Sequence, residues 1–448
     1  MNFTLNPGQE FVVRAAVDWF LNSDEQLFQY DGPPGSGKSV VLNEIVKRLG
    51  LNINTEIAPM SFIGAASLVM RTKGLLTAKT AHSWIYEVYQ VPLKDPTSGR
   101  IIYKASGEPY YEYRYKPRKT LGKAIKLIII DEAYCMPRAM RPEIEKFGVK
   151  ILACGDQNQL PPVKDKPAFL VDGKIYHLTQ VMRQIGIEDI VFIANRAMLG
   201  LPLLNGYYGH SMVLEREDVS DALLLWADVI ICGTNRTRDK INKHIRHLRH
   251  FTGLLPNYGE RVVCRNNNWD LTVQDNFGND ISLVNGLIGT VSNQPGIDSF
   301  STKNNTFTMK FIPDLANCEF VCDANYDYMI SDSDMRPAIK KDISEAGQMF
   351  EFAYAITCHI SQGSQFHKVI YIEETLGGGI QSCLNLVGAT RADQQLVYVK
   401  NNFQPWPDYY DPDEKPNLAN YNNRISRIKD KQEKNKNIYN GYKKTKNW

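Results

Sequence analysis

The sequence predicts an α/β protein with parallel, doubly wound sheets and small β insertions. Three observations predict this. First, Gly32-Pro33-Pro34-Gly35-Ser36-Gly37-Lys38-Ser39 is a complete G-x-x-x-x-G-K-[ST] phosphate loop, set between a short strand at 26–30 and an amphipathic helix at 40–49. Second, residues 125–130 and 149–153 are apolar runs, each broken only by one lysine near its start, Lys126 and Lys150, as expected of strands buried on both faces. Third, another strand at 229–232 opens a second α/β unit, and that pattern resumes after a stretch of short β-like pieces at about 259–350.

Taken in order, residues 7–21 read as an amphipathic helix. Asn6 is its cap, Pro7 lies in the first turn, and Phe11, Val12, Ala15, Ala16, Trp19 and Phe20 form the apolar face. Gln9 lies at its start, where a glutamine could hydrogen-bond an adenine edge. In the phosphate loop the glycines let the backbone turn its N–H groups toward phosphates, and the following helix adds a positive dipole end. Lys38 would reach the β and γ phosphates of ATP, and Ser39 would hold Mg2+. A strand is expected at 53–58 and helices at 62–71 and from Thr80; His82, on its own, is a cap-adjacent or surface histidine.

Residues 91–117 change character. A turn at 96–99 precedes strand-like pieces at 101–103 and 110–115. Its tyrosines and bases suit stacking on nucleic-acid bases, and equally a hairpin packed on its own domain. The apolar run at 125–130 delivers Asp131-Glu132 at its carboxyl end. There Asp131 would bind Mg2+ and Glu132 would orient the attacking water. The run at 149–153 leads into Gly155-Asp156-Gln157-Asn158-Gln159-Leu160-Pro161-Pro162, followed by Leu178 and Val181-Met182-Arg183. The strand at 229–232 ends at Thr234-Asn235-Arg236 and a basic helix to Arg249. Residues 261–264 and 283–291, with Asn285-Gly286 as a turn, suggest a small barrel-like insertion. Then come residues 352–361 leading to Gln362-Gly363, a strand at 368–372, a helix at 384–391 and a last strand at 395–399.

A chain of 448 residues with 43% hydrophobic content has enough material for several buried cores. No apolar run is long enough to cross a bilayer, and residues 1–9 lack a signal pattern. Eight scattered cysteines suit a reducing cytoplasm; Cys264, Cys318 and Cys322 lack a convincing second pair and read as thiols rather than metal ligands. From Tyr421 onward nine bases and two acids give +7, which leaves −4 for the rest of a +3 chain. A polyanion would therefore need a focused groove in the body. The segment from 404 reads as a polar, basic tail.

This series of motifs resembles superfamily 1 DNA helicases, specifically the branch of RecD and the phage Dda helicase. The resemblance runs over roughly nine-tenths of the chain. It rests on the phosphate loop, Ala58-Pro59, residues 80–85, Asp131-Glu132, residues 155–162, Val181-Met182-Arg183, residues 354–363 and Ala389-Thr390-Arg391-Ala392. The most specific part pairs Gly-Asp-Gln-Asn-Gln-Leu-Pro-Pro with the later His359-x-Ser361-Gln362-Gly363.

The resemblance implies two RecA-like doubly wound parallel-sheet domains with pin-like and SH3-like β insertions. The first RecA-like domain would span 1–197, with the pin-like insertion at about 88–122. The second would be 198–258 and 350–403, with the SH3-like insertion at 259–349. ATP would lie between the halves, held by Gln9, residues 32–39, Asp131 and Glu132. Gln159 would sense the γ-phosphate, and Arg183 and Arg391 would be arginine fingers, Arg391 from the second half. Thr80 and His82 would touch single-stranded DNA from the first domain, and Asn235, Thr357 and His359 from the second.

The implied activity is ATP-driven, DNA-stimulated unwinding, with 5′→3′ movement favoured, in replication, recombination or repair. Single-stranded and forked DNA would be its partners, with a single-strand-binding protein or replisome component as a further candidate. A monomer and no membrane are expected. The asparagine-, lysine- and tyrosine-rich composition and compact size point to a phage or other AT-rich genome, and hence to a bacterial host cytoplasm. The sequence departs from the family at Tyr134, usually serine, and at Gln365, often an acid. A translocase that separates strands poorly is the competing motor. A P-loop kinase or switch has no use for Arg391, and the short tail holds no carboxylate-rich nuclease.

Overall fold

The computed structural model describes residues 4–401 apart from 93, 95–97, 102, 104–106, 108, 110, 164, 181–186, 275–277, 279, 296–299, 302–304, 316–317, 338, 340–346 and 377–378. Arg183 and the basic tail thus lie outside the described residues. The described chain falls within one compact unit, residues 1–406.

Helix α1 (Pro7–Asn22) begins with the predicted cap, completed by a reciprocal bond between Asn6 and Gln9. There follow β1 (Leu27–Asp31), α2 (Lys38–Leu49), β2 (Ile57–Ser61), α3 (Gly64–Thr72), β3 (Lys79–Thr80) and α4 (Ala81–Ile85). A hairpin of β4 (Tyr86–Pro92) and β5 (Tyr111–Pro117) comes next, then β6 (Leu127–Ile130), α5 (Arg141–Glu145), β7 (Lys150–Gly155) and β8 (Ile175–His177). The first sheet has the order β3-β2-β6-β7-β1-β8 and is parallel throughout. Its alternation is plain in β6. Leu127 and Ile129 join Val13, Val41 and Ile45 from α1 and α2, while Ile128 and Ile130 join Met136, Ile144 and Phe169 on the other face. The strand expected at 53–58 starts only at Ile57, because 53–56 are taken up by a turn in which Glu56 N–H bonds back to Asn52.

The second sheet is built from β9 (Gly206–Tyr208), β10 (Ser211–Leu214), β11 (Val229–Cys232) and three later strands. Before it comes α6 (Glu188–Met198), and between its strands α7 (Asp221–Trp226) and α8 (Asn235–Leu248). The insertion follows as β12 (Arg261–Cys264), β13 (Asn268–Gln274), β14 (Asp280–Leu283), β15 (Ile288–Val291), β16 (Phe300–Ser301), β17 (Thr306–Pro313), β18 (Phe320–Asn325), α9 (Tyr326–Ile330) and β19 (Phe350–Phe352). Then β20 (Ala355–Thr357), α10 (Cys358–Ser361), β21 (Phe366–Ile372), α11 (Gln381–Ala389) and β22 (Ala392–Val399) complete the second sheet, ordered β20-β11-β21-β22-β10-β9. All its neighbours are parallel except the edge pair β10–β9. Two parallel, helix-covered sheets with β insertions are the α/β architecture that the sequence predicts, RecA-like in both halves.

Two boundaries are corrected. Ile190, Ile193, Ala194 and Ala197 of α6 are buried with Val213, Ile231, Val387 and Tyr398, so α6 belongs to the core of the second sheet, not to a first domain ending at 197. The insertion sheet, ordered β16-β17-β15-β12-β19 with β18 on β17, takes in 350–352 because β19 pairs antiparallel with β12. Asn285-Gly286 is the expected turn, with Leu287 N–H bonding the Val284 carbonyl at 3.1 Å, and the strands it joins do not pair: β14 pairs with β13, whereas β15 pairs with β12 and β17. The chain changes sheets there.

Helix α3 ties these bodies together. Leu68 is buried in the insertion's core, and the Arg71 guanidinium donates to the Asp280 carbonyl at 2.6 Å. Cys264, Cys318 and Cys322 are buried in that same core, outside any disulfide.

Candidate active site

The three strand ends that matter are neighbours. The phosphate loop leaves β1, Asp131-Glu132 follows β6, and residues 156–162 leave β7, which lies between them. Ligand sites in such sheets form at the strands' carboxyl ends. Gly32 N–H bonds the Gly155 carbonyl at 3.1 Å, which anchors the loop to β7. Gly37 caps α2 in the left-handed region, with φ +84°, and a side chain there would strike the Gln9 amide.

Lys38 Nζ donates to the carbonyls of Gly32 at 2.7 Å and Pro33 at 3.2 Å, so its ammonium lies over the loop. Gln9 is 4% exposed and its amide is engaged at both ends. It accepts from Asn6 N–H at 3.0 Å and donates to the Ser36 carbonyl at 3.0 Å. Gln9 therefore holds the phosphate loop in this structure, and an adenine contact would require it to release one of these bonds. The Ser39 hydroxyl meets the Lys73 ammonium at 3.1 Å.

Three buried polar atoms around the loop have no hydrogen-bond partner among the described residues: Ser36 Oγ, Asp156 Oδ2 and Gln159 Oε1. Buried polar groups are normally satisfied. A nucleotide with its metal and water would supply what these atoms lack, so the residues fit the group that the sequence implies. Ser39 and Asp131 offer two oxygen ligands, the number Mg2+ takes from protein when phosphates and water supply the rest.

Glu132 sits in the left-handed region, φ 52°. Such strain in a non-glycine residue persists only where the surroundings enforce it. Loss of water raises the Glu132 carboxyl, and the Asp131 charge adds to this; Lys38 and Arg391 oppose both. Burial likewise raises Asp156, against the pull of Lys38.

Arg391 comes from the second sheet, at the turn between α11 and β22, and is 6% exposed. Its guanidinium donates to the carbonyls of Val387 at 3.1 Å and Ser364 at 3.3 Å. Among the described residues no carboxylate lies within ion-pair distance of it, and its nearby acid Asp393 bonds His367 instead, at 2.8 Å. Burial pulls the Arg391 pKa down, while the charges of Glu132 and Asp156 on the first sheet push it up. A charge that is buried, unpaired and felt by the acids of the opposite sheet is available to a phosphate.

The expected nucleic-acid contacts all follow strand ends. Thr80 is buried and caps α4, its hydroxyl 2.9 Å from that of Ser83. His82 lies between the rings of Phe62 at 5.6 Å and Tyr86 at 6.1 Å, the latter stacked, which leads from α4 onto the hairpin. Thr357 is buried at the start of α10, and burial lowers the pKa of His359 beside it. Asn235 is exposed at the first turn of α8. Register places the ends of β11 and β20 side by side, Cys232 opposite Thr357, so Asn235 and His359 share one edge.

Sequence reasoning missed three contacts here: Lys73 on Ser39, Gln362 on Cys135, and Glu374 on the turn before α8. Each joins residues far apart in the chain, and no local pattern marks them. Tyr134, the departure beside the acid pair, packs on the first sheet's core, with Met136 and Ile144.

The fold and site define a P-loop nucleotide-binding protein with two RecA-like sheets. Residues 4–196 match the AAA domain family. No curated protein matches the sequence. Among solved structures, the Bacteroides Pif1 helicase in complex with ADP-AlF3 and single-stranded DNA is similar at 16% identity, over 95% of this chain and 97% of that one, with a TM-score of 0.50. A structure of two coordinating Pif1 helicases unwinding forked double-stranded DNA is similar at 17% identity, over 91% and 95%, with a TM-score of 0.51. At these identities the likeness is one of fold. Among the described residues no helix is long and apolar enough to cross a membrane.

Proposed function

We propose that the chain is an ATP-dependent DNA helicase of superfamily 1, of the RecD and Dda branch. It moves 5′→3′ on single-stranded DNA and unwinds duplex in phage-type replication, recombination or repair. The observation that carries this reading is Arg391, a buried, unpaired cation of the second sheet within electrostatic reach of Glu132 on the first. A kinase or switch confined to one P-loop domain has no role for it.

In this reading Lys38 leaves the Gly32 and Pro33 carbonyls to bind the β and γ phosphates. Glu132 orients the attacking water, with its proton affinity already raised for that role. Mg2+ on Ser39 and Asp131 would neutralise charge on the phosphates. Gln159 turns its unsatisfied amide oxygen toward the reacting group, by way of water. Arg391, joined by Arg183, stabilises charge on the transferring phosphoryl. Because Arg391 belongs to the opposite sheet, hydrolysis depends on how closely the halves approach. Strand grip at the shared edge of Asn235, Thr357 and His359, alternating with grip at Thr80 and His82, then yields steps along the DNA. The fold shared with Pif1 helicases, two of them solved on single-stranded or forked DNA, supports the substrate.

The test is unwinding of a duplex carrying a single-stranded tail on one strand or the other, with Lys38→Ala as control. Unwinding from the 5′ tail, lost in the control, is expected. DNA-stimulated ATPase with no strand separation on either substrate would instead establish a translocase.

A further inference from the structure

We propose that Glu374 is a positioning residue for nucleic-acid binding, acting through the turn of residues 233–237 that presents Asn235. The inference rests on the reading of Asn235 as a strand contact.

Glu374 stands two residues past the end of β21, and β21 flanks β11 on the side opposite β20. Its carboxylate gathers four donors from the turn. Oε2 accepts from the backbone N–H of Gly233 at 2.6 Å and of Thr234 at 2.8 Å. Oε1 lies 3.1 Å from the Thr234 hydroxyl and 2.5 Å from the Thr237 hydroxyl. Thr234 is the N-cap of α8, and its hydroxyl also accepts from Thr237 N–H at 3.1 Å. The Thr234 and Thr237 N–H groups are ones that a helix start leaves without partners, Gly233 lies just before it, and the carboxylate meets the positive end of a 14-residue helix.

Charge-assisted bonds to one carboxylate leave the turn a single conformation. The residues it then presents, Asn235 and Arg236, are exposed. On the other side of β11, Cys232 is in register with Thr357, so the turn is also fixed against the segment that carries His359. The neighbouring Glu373 accepts from Asn385 of α11 at 2.9 Å, and α11 leads directly to Arg391. The end of β21 thus anchors both the exposed turn and the helix that carries the buried arginine.

An ordinary helix cap would contribute to stability alone. A positioning residue contributes to strand affinity through Asn235, and a double-mutant cycle separates the two. Single-stranded oligonucleotide and ADP affinities are measured on the full chain for wild type, Glu374→Gln, Asn235→Ala and the double variant, with melting temperatures alongside. The expected result is a rise on the order of tenfold in the oligonucleotide Kd for Glu374→Gln, equal to about 1.4 kcal/mol, with ADP binding held within about twofold. In the double variant the loss should not exceed that of Asn235→Ala. Additive losses, or an unchanged Kd, overturn the inference. Should Glu374→Gln fail to fold, Thr237→Val removes one of the four donors and is expected to raise the Kd less, in the same direction; no rise in that folded variant overturns the proposal. Wild type that binds no oligonucleotide would defeat the helicase reading itself, a distinct result.

Discussion

Gln362 donates its side-chain amide to the sulfur of Cys135 at 3.3 Å, across 227 positions of sequence. Cys135 ends the short turn that begins at Asp131-Glu132, and Gln362 follows α10 on the second half. Beside it Gly363, at φ +82°, lies so close to α3 that an added Cβ would meet the Ala66 backbone at 3.2 Å. The halves therefore touch where one carries its acid pair and the other the segment proposed to face DNA.

Gln362→Ala should uncouple the two sites. Nucleotide binding is expected to persist, while stimulation of ATPase by single-stranded DNA falls on the order of tenfold, within the usual range for coupling between sites. Cys135→Ala removes the acceptor and should reproduce the effect. ATPase titrated with DNA in both variants is the measurement, and full stimulation in either would leave the contact a packing detail.

The acid pair should divide its roles. Glu132→Gln is expected to bind ATP and Mg2+ yet lose hydrolysis by a factor on the order of 10²–10⁴, since the water loses its orienting base. Asp131→Asn should instead raise the Mg2+ concentration needed for turnover. Equal loss of nucleotide binding in both variants would contradict this division.

Arg391→Ala should spare nucleotide binding and reduce the DNA-stimulated rate by about 10³-fold or more, the loss typical of an arginine finger. Lysine should rescue poorly, because a point charge does not reproduce the planar fork. A stimulated rate near wild type would remove Arg391 from the mechanism.

Acid stability has a definite contributor in Glu351, buried where β19 meets α8. Burial by itself would raise its carboxyl, but Arg265, Arg238 and Arg336 outweigh this and hold it at about 2. Arg238 pairs with it at 2.6 Å and the Tyr328 hydroxyl donates at 2.9 Å. A folded pKa below the unfolded value gives stability that is present above the unfolded pKa and is lost as pH falls toward the folded one. The loss should therefore fall between about pH 4.5 and 2. Glu351→Gln strands buried arginines and should cost about 3 kcal/mol at neutral pH. Its urea midpoint should also vary less with pH in that window, which denaturation at several pH values would test.

The sequence by itself determined the local elements of the first half and the fold class of both halves. The phosphate loop, Asp131-Glu132 and the capped start of α1 are local patterns, and backbone sterics and side-chain periodicity act over a few residues. So the loop lies between its strand and helix, and the acids close a strand whose four residues are fully buried. Tertiary structure decided which distant surfaces meet. An apolar stripe on α6 states that it must be buried, not on which sheet, and only the space beside α11 and the second sheet made that choice. The same holds for Gln9, whose amide serves the phosphate loop, and for Glu374, set on a turn some 140 residues away. Arg391 could be named from its motif, but its freedom from Asp393 follows from His367 taking that acid. Partner choice between remote groups is a competition among packing and hydrogen-bond alternatives, and no short stretch of sequence contains all the competitors.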